Sequence, residues 1–212
     1  MLSRHRLTGK RRMSDPDPFD WSGGHPALDL VNSLDERPLA SPIEHLASYR
    51  DLLRFAELAR LIPPALAAQL NQVEGSERRR IAARARRLRE NLHDLLAAGC
   101  AGRRVPQADL DAITSAVHAA HAARSLVPAP AAPGLARHGW VRPQSPEIPL
   151  HACALAVEHL LTEIDPATIH KCAAADCGVF YIDTSKGHRR QWCSMRNCGN
   201  REKQRRWRAR VK

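Results

Sequence analysis

Residues 172–201 have the sequence CAAADCGVFYIDTSKGHRRQWCSMRNCGNR and contain four of the six cysteines of this 212-residue chain. Cys172 and Cys177 form one pair with four residues between them, and Cys193 and Cys198 form a second pair with the same spacing. Two such pairs, separated by the length of one hairpin, supply the four thiolates of a closed tetrahedral zinc site. We therefore predict one structural Zn²⁺ ion bound by these four cysteines.

Zinc also explains how so short a segment can fold. A unit of about 42 residues buries little apolar surface, and structural zinc contributes roughly 10–16 kcal/mol of coupled folding free energy. Residues 179–182 are typical of a strand, and residues 190–192 are typical of a strand that returns beside it. Helix formers follow from Glu202 to Val211, with Asn200 as the predicted N-cap. The order of knuckle, hairpin and helix predicts a treble-clef zinc finger.

Positive charge is concentrated in the same region. The chain has a formal net charge of +11, and residues 171–212 hold 12 lysines and arginines against three acidic residues. Residues 1–12 add five basic side chains and no acidic ones, so the rest of the chain is slightly acidic. A charge asymmetry of this kind indicates a polyanionic partner, most often nucleic acid.

The basic side chains of the predicted finger are the candidates for contacts with double-stranded DNA. Arginine, lysine and helix N-termini supply phosphate contacts, and arginine also pairs with guanine in the major groove. Trp207 is predicted to pack on the hairpin with Phe180 and Trp192 rather than to stack on a base. The predicted contacts are Lys186, Arg189, Arg190, Arg201, Lys203, Arg205, Arg206 and Arg208.

The body of the chain, residues 15–168, has the pattern of a mostly helical α+β domain with a few strands. Apolar residues recur at helical spacing from Ile81 to Leu95, and the arginines around them, including Arg89, are predicted to form a solvated face. Residues 127–143 are rich in proline and typical of one or two strands. No long flexible linker follows the body, so we expect the finger to pack against it.

Three polar residues of the body are candidates for a ligand pocket. Asp29 and Asn32 interrupt an apolar stretch and share a face if that stretch is helical. With Arg37 they could line a pocket for a small ligand, or they could satisfy backbone groups at a turn of the chain. The sequence contains no nucleophile motif, phosphate loop or paired acids, so we assign no catalytic residue.

The finger segment closely resembles the CGNR zinc finger, because the tetrapeptide Cys198-Gly199-Asn200-Arg201 stands at the fourth ligand. The stretch Phe180 to Ser185 and the run Arg189 to Met195 match the same pattern. This resemblance implies a treble-clef finger over residues 169–212 that binds zinc through its four cysteines and binds DNA.

The body resembles the ABATE domain, which usually precedes this finger. The matching residues are 28–33 (LDLVNS), Arg37 and 49–55 (YRDLLRF), with Phe55 where the family often has a tryptophan. The two resemblances cover nearly the whole chain. They imply a stress-linked transcriptional regulator whose body binds a ligand and whose finger binds DNA.

The prediction is therefore a zinc-dependent, DNA-binding transcriptional regulator. An RNA-binding or protein-interaction adaptor is the main alternative, an enzyme with a site in the body is a lesser one, and a homodimer stays open. Residues 1–14 are predicted to be a flexible basic tail, with Met13 as an alternative start of the chain. Because no apolar run is long enough for a membrane helix, we expect a cytoplasmic protein with no membrane partner.

Overall fold

The structure is a computed structural model, and it describes residues 17–71, 76–129 and 134–210. The basic tail predicted for residues 1–14 lies outside the described residues. Seven α-helices and six short strands are described, and none of these helices is both long and apolar enough to cross a membrane. The helices are α1 (Pro26–Asn32), α2 (Tyr49–Leu58), α3 (Pro64–Leu70), α4 (Glu77–Cys100), α5 (Gln107–Ala122), α6 (Ile148–Glu163) and α7 (Asn200–Arg210). The strands are β1 (Leu34–Asp35), β2 (Ile43–Glu44), β3 (Arg124–Pro128), β4 (Ala136–Trp140), β5 (Ile169–Lys171) and β6 (Phe180–Ile182).

Helix α4 is the central helix of the body. Its apolar positions at Ile81, Ala85, Leu88 and Leu92 are all buried, as their helical spacing predicts. The buried face packs against α1, α2, α5 and α6, which together with α4 enclose the main hydrophobic core. The predicted mostly helical α+β fold is confirmed.

Arg89 departs from the solvated arginine face predicted for α4. Its side chain is 3% exposed, and its guanidinium pairs with both carboxylate oxygens of Glu44 at 2.6 and 2.7 Å and with Glu90 at 2.8 Å. Burial alone would lower the pKa of Arg89, but these two carboxylates raise it above its ordinary value. The prediction was wrong because this position of α4 faces the β1–β2 pair, where the Glu44 carboxylate of β2 compensates the buried charge.

The strands form three antiparallel pairs, β1 with β2, β3 with β4 and β5 with β6. The β3–β4 hairpin confirms the strands predicted for residues 127–143, although β3 begins three residues earlier. Strand β6 pairs with β5, which places Lys171 opposite Phe180, and the predicted partner of β6 at residues 190–192 is not a strand. That hairpin prediction was therefore wrong, because the backbone N–H of Arg190 donates to the Asp183 carboxylate and the carbonyl of Gln191 accepts the N–H of Ala173, so neither pairs with β6.

Candidate metal centre and nucleic-acid interface

The four cysteines predicted as zinc ligands lie together. Their Sγ atoms are all within 4.8 Å of one another. The Sγ atoms of Cys177 and Cys193 are 3.8 Å apart, and those of Cys193 and Cys198 are 3.6 Å apart. Tetrahedral zinc with Zn–S bonds of about 2.3 Å separates its sulfur ligands by roughly 3.8 Å. The four sulfurs therefore fit one structural Zn²⁺ ion, as the sequence predicts.

Two different backbone structures hold the two cysteine pairs. Cys172 and Cys177 lie in the connection between β5 and β6, where the backbone N–H of Cys172 donates to Val179 O at 2.9 Å. Cys193 precedes a π-helical turn, Met195–Gly199, that contains Cys198 and continues into α7. The zinc site therefore joins a strand pair to the start of a helix.

The cap of this helical turn is not the predicted one. Ser194 Oγ accepts the backbone N–H of Asn197 at 3.4 Å and caps the π-helical turn. Asn200 lies inside the continuous helix, where its Nδ2 donates to Arg196 O at 3.2 Å. The prediction that Asn200 is the N-cap was wrong, because the helical backbone begins one turn earlier, next to the metal ligands.

Hydrogen-bond donors face two of the ligand sulfurs. The backbone N–H of Cys193 lies 3.5 Å from Cys172 Sγ, and the guanidinium of Arg201 lies 3.3 Å from Cys198 Sγ. Sulfurs this close oppose each other's ionisation, and hydrogen bonds to the neighbouring thiols raise the pKa of Cys193 far above its usual range. A central Zn²⁺ ion reverses this effect by stabilising four thiolates, and Arg201 offsets part of their remaining negative charge.

Asp183 and Arg190 organise the loop between β6 and the second cysteine pair. The Asp183 carboxylate accepts the backbone N–H groups of Ser185 at 2.8 Å and Arg190 at 2.9 Å. Burial alone would raise the pKa of Asp183, but these hydrogen bonds outweigh it and lower the pKa to about 2. The Arg190 guanidinium lies 4.3 Å from the Tyr181 ring centroid and donates to two backbone carbonyls beside the second cysteine pair. Arg190, a predicted nucleic-acid contact, thus packs against the finger core.

Helix α7 projects from the finger with no buried residue. Arg201 and Arg205 share one face, and both pair with Asp176, at 2.9 and 3.2 Å, in the connection between the first two cysteines. Arg205 also pairs with Glu202 at 3.1 Å. The role of Asp176 was not predicted, although it is the only acid between the first two cysteines. These pairs orient α7 relative to the zinc site.

The opposite face of α7 is exposed, basic and aromatic. Lys203, Trp207 and Arg210 recur at steps of four and three residues and so share a face, about half a turn from the face that contacts Asp176. Trp207 is 66% exposed. The prediction that Trp207 packs in the finger core was wrong, because α7 has already extended beyond that core at this position.

The remaining predicted contacts are all exposed. Lys186 and Arg189 lie in the loop that Asp183 organises, and His188 is a solvated turn residue with φ 47° in the same loop. Lys203 and Arg208 on α7 have no ion pair to any residue that the structure describes. Arg206 is 3.9 Å from Glu202, a long and exposed pair. The structure therefore brings the loop and helix cations to the surface of one small finger.

The three candidate pocket residues of the body lie at its contact with the finger. The side-chain amide of Asn32 accepts the backbone N–H of Phe180 and donates to its carbonyl, both at 2.9 Å, as a neighbouring strand would. Gly23 O accepts the N–H of Ile182 at 2.9 Å, and Asp29 Oδ1 accepts the N–H of Gly23 at 3.0 Å. Asp29 and Asn32 thus satisfy backbone groups, which is the alternative to a pocket that the sequence left open.

The charge of Arg37 is compensated by an ion pair, whereas Asp29 is buried near another acid. Arg37 pairs with both carboxylate oxygens of Glu90 at 2.5 and 3.3 Å and packs against Gly178 of the finger. Asp29 is buried, and this burial, with the nearby charge of Asp20, raises its pKa to about 7 despite the hydrogen bond from Gly23. The carboxyl of Asp29 is therefore held in an environment that disfavours its ionised form.

Comparison with known families agrees with this geometry. The family model ABATE, described as "Putative stress-induced transcription regulator", matches residues 24–164, and the model of the CGNR zinc finger matches residues 169–211. No curated protein matches the chain. The first match spans more than half of the chain, and the second contains all four clustered cysteines. The chain therefore belongs to the ABATE family, and a CGNR zinc finger follows its ABATE domain.

Proposed function

We propose that this zinc-binding protein is a DNA-binding transcription regulator that contacts double-stranded DNA through its finger. The observation that supports the proposal best is α7 itself. It has six cationic side chains, one acidic side chain and no buried residue, and it starts at the zinc site. A helix this exposed gains little from packing, so a polyanion is the partner that best explains its composition.

The charge of the finger favours the same partner. Four thiolates and one Zn²⁺ ion contribute a charge of about −2, so residues 171–212 keep a charge of roughly +7 with the metal bound. Neutralising phosphates with these cations releases counterions from DNA, which supplies affinity that falls with salt. Like-charged side chains along α7 repel each other in the free protein, and DNA phosphates would relieve that repulsion.

We assign different parts of the contact to the two faces of α7. Lys203 and Arg210 are exposed beside Trp207 and are proposed to reach the DNA first. Arg201 and Arg205 keep free N–H groups for phosphates, because a guanidinium has five donors and Asp176 occupies few of them. The other proposed phosphate contacts are Lys186, Arg189, Arg206 and Arg208. Arg190 is proposed to position the loop instead.

Trp207 is proposed to contact a base. An exposed indole among cations is costly in water and is covered when it inserts beside a base step, as apolar side chains do in several DNA-binding proteins. The same exposure also favours a second candidate function, the binding of single-stranded RNA, in which aromatic side chains stack on unpaired bases. The two candidates differ in which nucleic acid the finger prefers.

The test compares duplex binding by the zinc-loaded full chain with binding by a variant that has Lys203→Gln and Arg210→Gln. The matched control is Arg87→Gln with Arg79→Gln, the same charge change on exposed positions of α4. We expect the finger variant to lower the slope of log affinity against log salt by about 2 and the control to leave it unchanged.

Two further arms separate the candidates. Cys193→Ser with Cys198→Ser should remove both the metal and any sequence preference. Binding of single-stranded RNA tighter than of the matching duplex would establish the RNA alternative. Weak binding to both nucleic acids, with zinc present, would instead indicate a finger that contacts protein.

A further inference from the structure

A cavity of about 520 Å³ lies where the body meets the finger. It is open on one side to solvent and is lined by the C-terminal ends of α4 and α6 and by strand β5. Its volume is within the range of roughly 300–1,000 Å³ that is common for small-molecule sites. The apolar side chains that form most of its wall are Leu95, Leu96, Val105, Leu160, Leu161 and Ile164. Two of these, Val105 and Leu161, are 43% and 36% exposed, which leaves the mouth of the cavity apolar as well.

In the part of the chain that the structure describes, the polar lining of the cavity includes a cation and no acidic side chain. Lys171 lines it, and its ammonium has no ion pair to a described residue and lies 5.8 Å from the Phe180 ring centroid. The Cys100 thiol donates to Ile169 O at 3.6 Å, and burial raises its pKa, so it stays a neutral thiol. The His170 ring lies 6.0 Å from the Tyr181 ring. No Asp or Glu is among the lining residues of the described chain.

We propose that this cavity binds a small amphiphilic carboxylate. The apolar chain of the ligand lies between α4 and α6, where it removes exposed leucine and valine surface from water. Its carboxylate pairs with Lys171 at the rim, beside the thiol of Cys100. Lys171 is exposed and lies over the Phe180 ring, so it does not need a ligand, but a carboxylate gains an ion pair there that a neutral ligand lacks. A cationic amphiphile would be repelled by it.

The position of the cavity links the ligand to the finger. Lys171 is the last residue of β5, and the first zinc ligand, Cys172, follows it directly. A molecule that contacts Ile169 and Lys171 therefore touches the strand that pairs with β6 of the finger. This regulatory consequence rests on the proposed DNA-binding function, whereas the binding of the carboxylate itself does not.

Gly99 provides the test of the site. It lines the cavity, and a Cβ atom built on it meets no atom within 4 Å. Because Gly99 lies in α4, its replacement by leucine also raises helix propensity, so the variant should fold. Calorimetric titration of the zinc-loaded chain with decanoate should show binding, Gly99→Leu should abolish it, and the control Gly99→Ala should retain it. Binding of decanoate to Gly99→Leu with unchanged affinity, or no binding to the wild type, would overturn the proposal.

Lys171→Gln tests the carboxylate. We expect this variant to bind decanoate several-fold more weakly and to bind decanol as the wild type does. Equal affinity of the wild type for decanoate and decanol, with no effect of Lys171→Gln, would reject an anionic ligand. Because these titrations contain no DNA, their failure is distinguishable from failure of the proposed function. In a final experiment, we expect decanoate to shift the duplex affinity of the wild type but not that of Gly99→Leu. An unshifted affinity of the wild type would reject the link to the finger.

Discussion

At the scale of single residues, two buried charges of the body have different surroundings. The Arg89 guanidinium donates hydrogen bonds to two carboxylates and to the hydroxyl of Ser33, so its buried positive charge is compensated. Asp29 has one backbone N–H and a neighbouring acid. The free energy of burying a charge is large unless partners offset it, so these two residues should respond in opposite ways to neutral substitutions.

Arg89→Ala should destabilise the protein by about 3 kcal/mol. The substitution leaves the half-buried carboxylate of Glu44 without its main partner and removes one of the two arginines that pair with Glu90, and breaking a buried ion pair on one side is costly. Arg87→Ala, an exposed arginine on the same helix, is the matched control and should change stability by less than about 0.5 kcal/mol. Urea denaturation measures both, and equal effects of the two variants would contradict the assigned role of Arg89.

Asp29→Asn should stabilise the protein at about pH 8 by on the order of 1–3 kcal/mol. The folded pKa of Asp29, about 7, is above its ordinary value of 3.8, so the folded state holds a proton that the unfolded state has lost. Stability from this group is therefore present below about pH 4 and is lost as the pH rises towards 7. The difference between variant and wild type should grow across that window.

Zinc loss in acid affects the wild type and Asp29→Asn alike, so only the difference between them is informative. Thermal unfolding at several pH values provides the measurement. A stability difference that is constant from about pH 5 to about pH 8 would show that Asp29 titrates normally in the folded protein.

At the scale of elements, the sequence predicts what depends on local spacing. The buried face of α4 follows from its helical periodicity, and the zinc ligands follow from two short cysteine spacings. The contact on the other edge of β6 does not follow, because its partner is the amide of Asn32, which is 148 residues away from Phe180 in the chain. The exposure of Trp207 was missed for a related reason, since an aromatic residue is usually buried unless it has a binding role.

The metal should determine whether the finger elements form. Elemental analysis should find one zinc per chain, Cys198→Ser should lose it, and Cys100→Ser, a cysteine outside the cluster, should keep it. Chelation should abolish amide-exchange protection in α7 and β6, because the finger core consists largely of the metal ligands and Tyr181. The amides of helices α4 and α6 should stay protected, because the body has its own hydrophobic core. If these helices lost protection as fast as α7 and β6, the body would not be stable without the metal.

At the scale of the whole molecule, Asn32 joins two hydrophobic cores. Phe180 belongs to the core of the body and Tyr181 to the core of the finger, because successive residues of β6 point to opposite sides. The Asn32 amide takes the place of a neighbouring strand on the free edge of β6. Unfolding of the wild type should consequently release zinc and unfold the helices together.

Asn32→Ala should separate these two events. It leaves the buried N–H and carbonyl of Phe180 unpaired, at a cost of roughly 2–3 kcal/mol, but removes no metal ligand. We expect zinc to be released at a lower urea concentration than the one that unfolds the helices, as monitored with a chromophoric chelator and circular dichroism. Asn71→Ala, an exposed asparagine, should leave the two transitions coincident, and coincident transitions in Asn32→Ala would show that other contacts hold the finger.

The sharing of β6 between the cores also limits how this protein can be rearranged. A finger transplanted onto an unrelated body would expose the Phe180 side chain, which is 0% exposed here, and would leave the outer edge of β6 open to aggregation. An acceptor body would need its own asparagine amide and a hydrophobic recess at matching positions. The finger thus depends on its body at this junction, and chimeras that keep the junction should be the soluble ones.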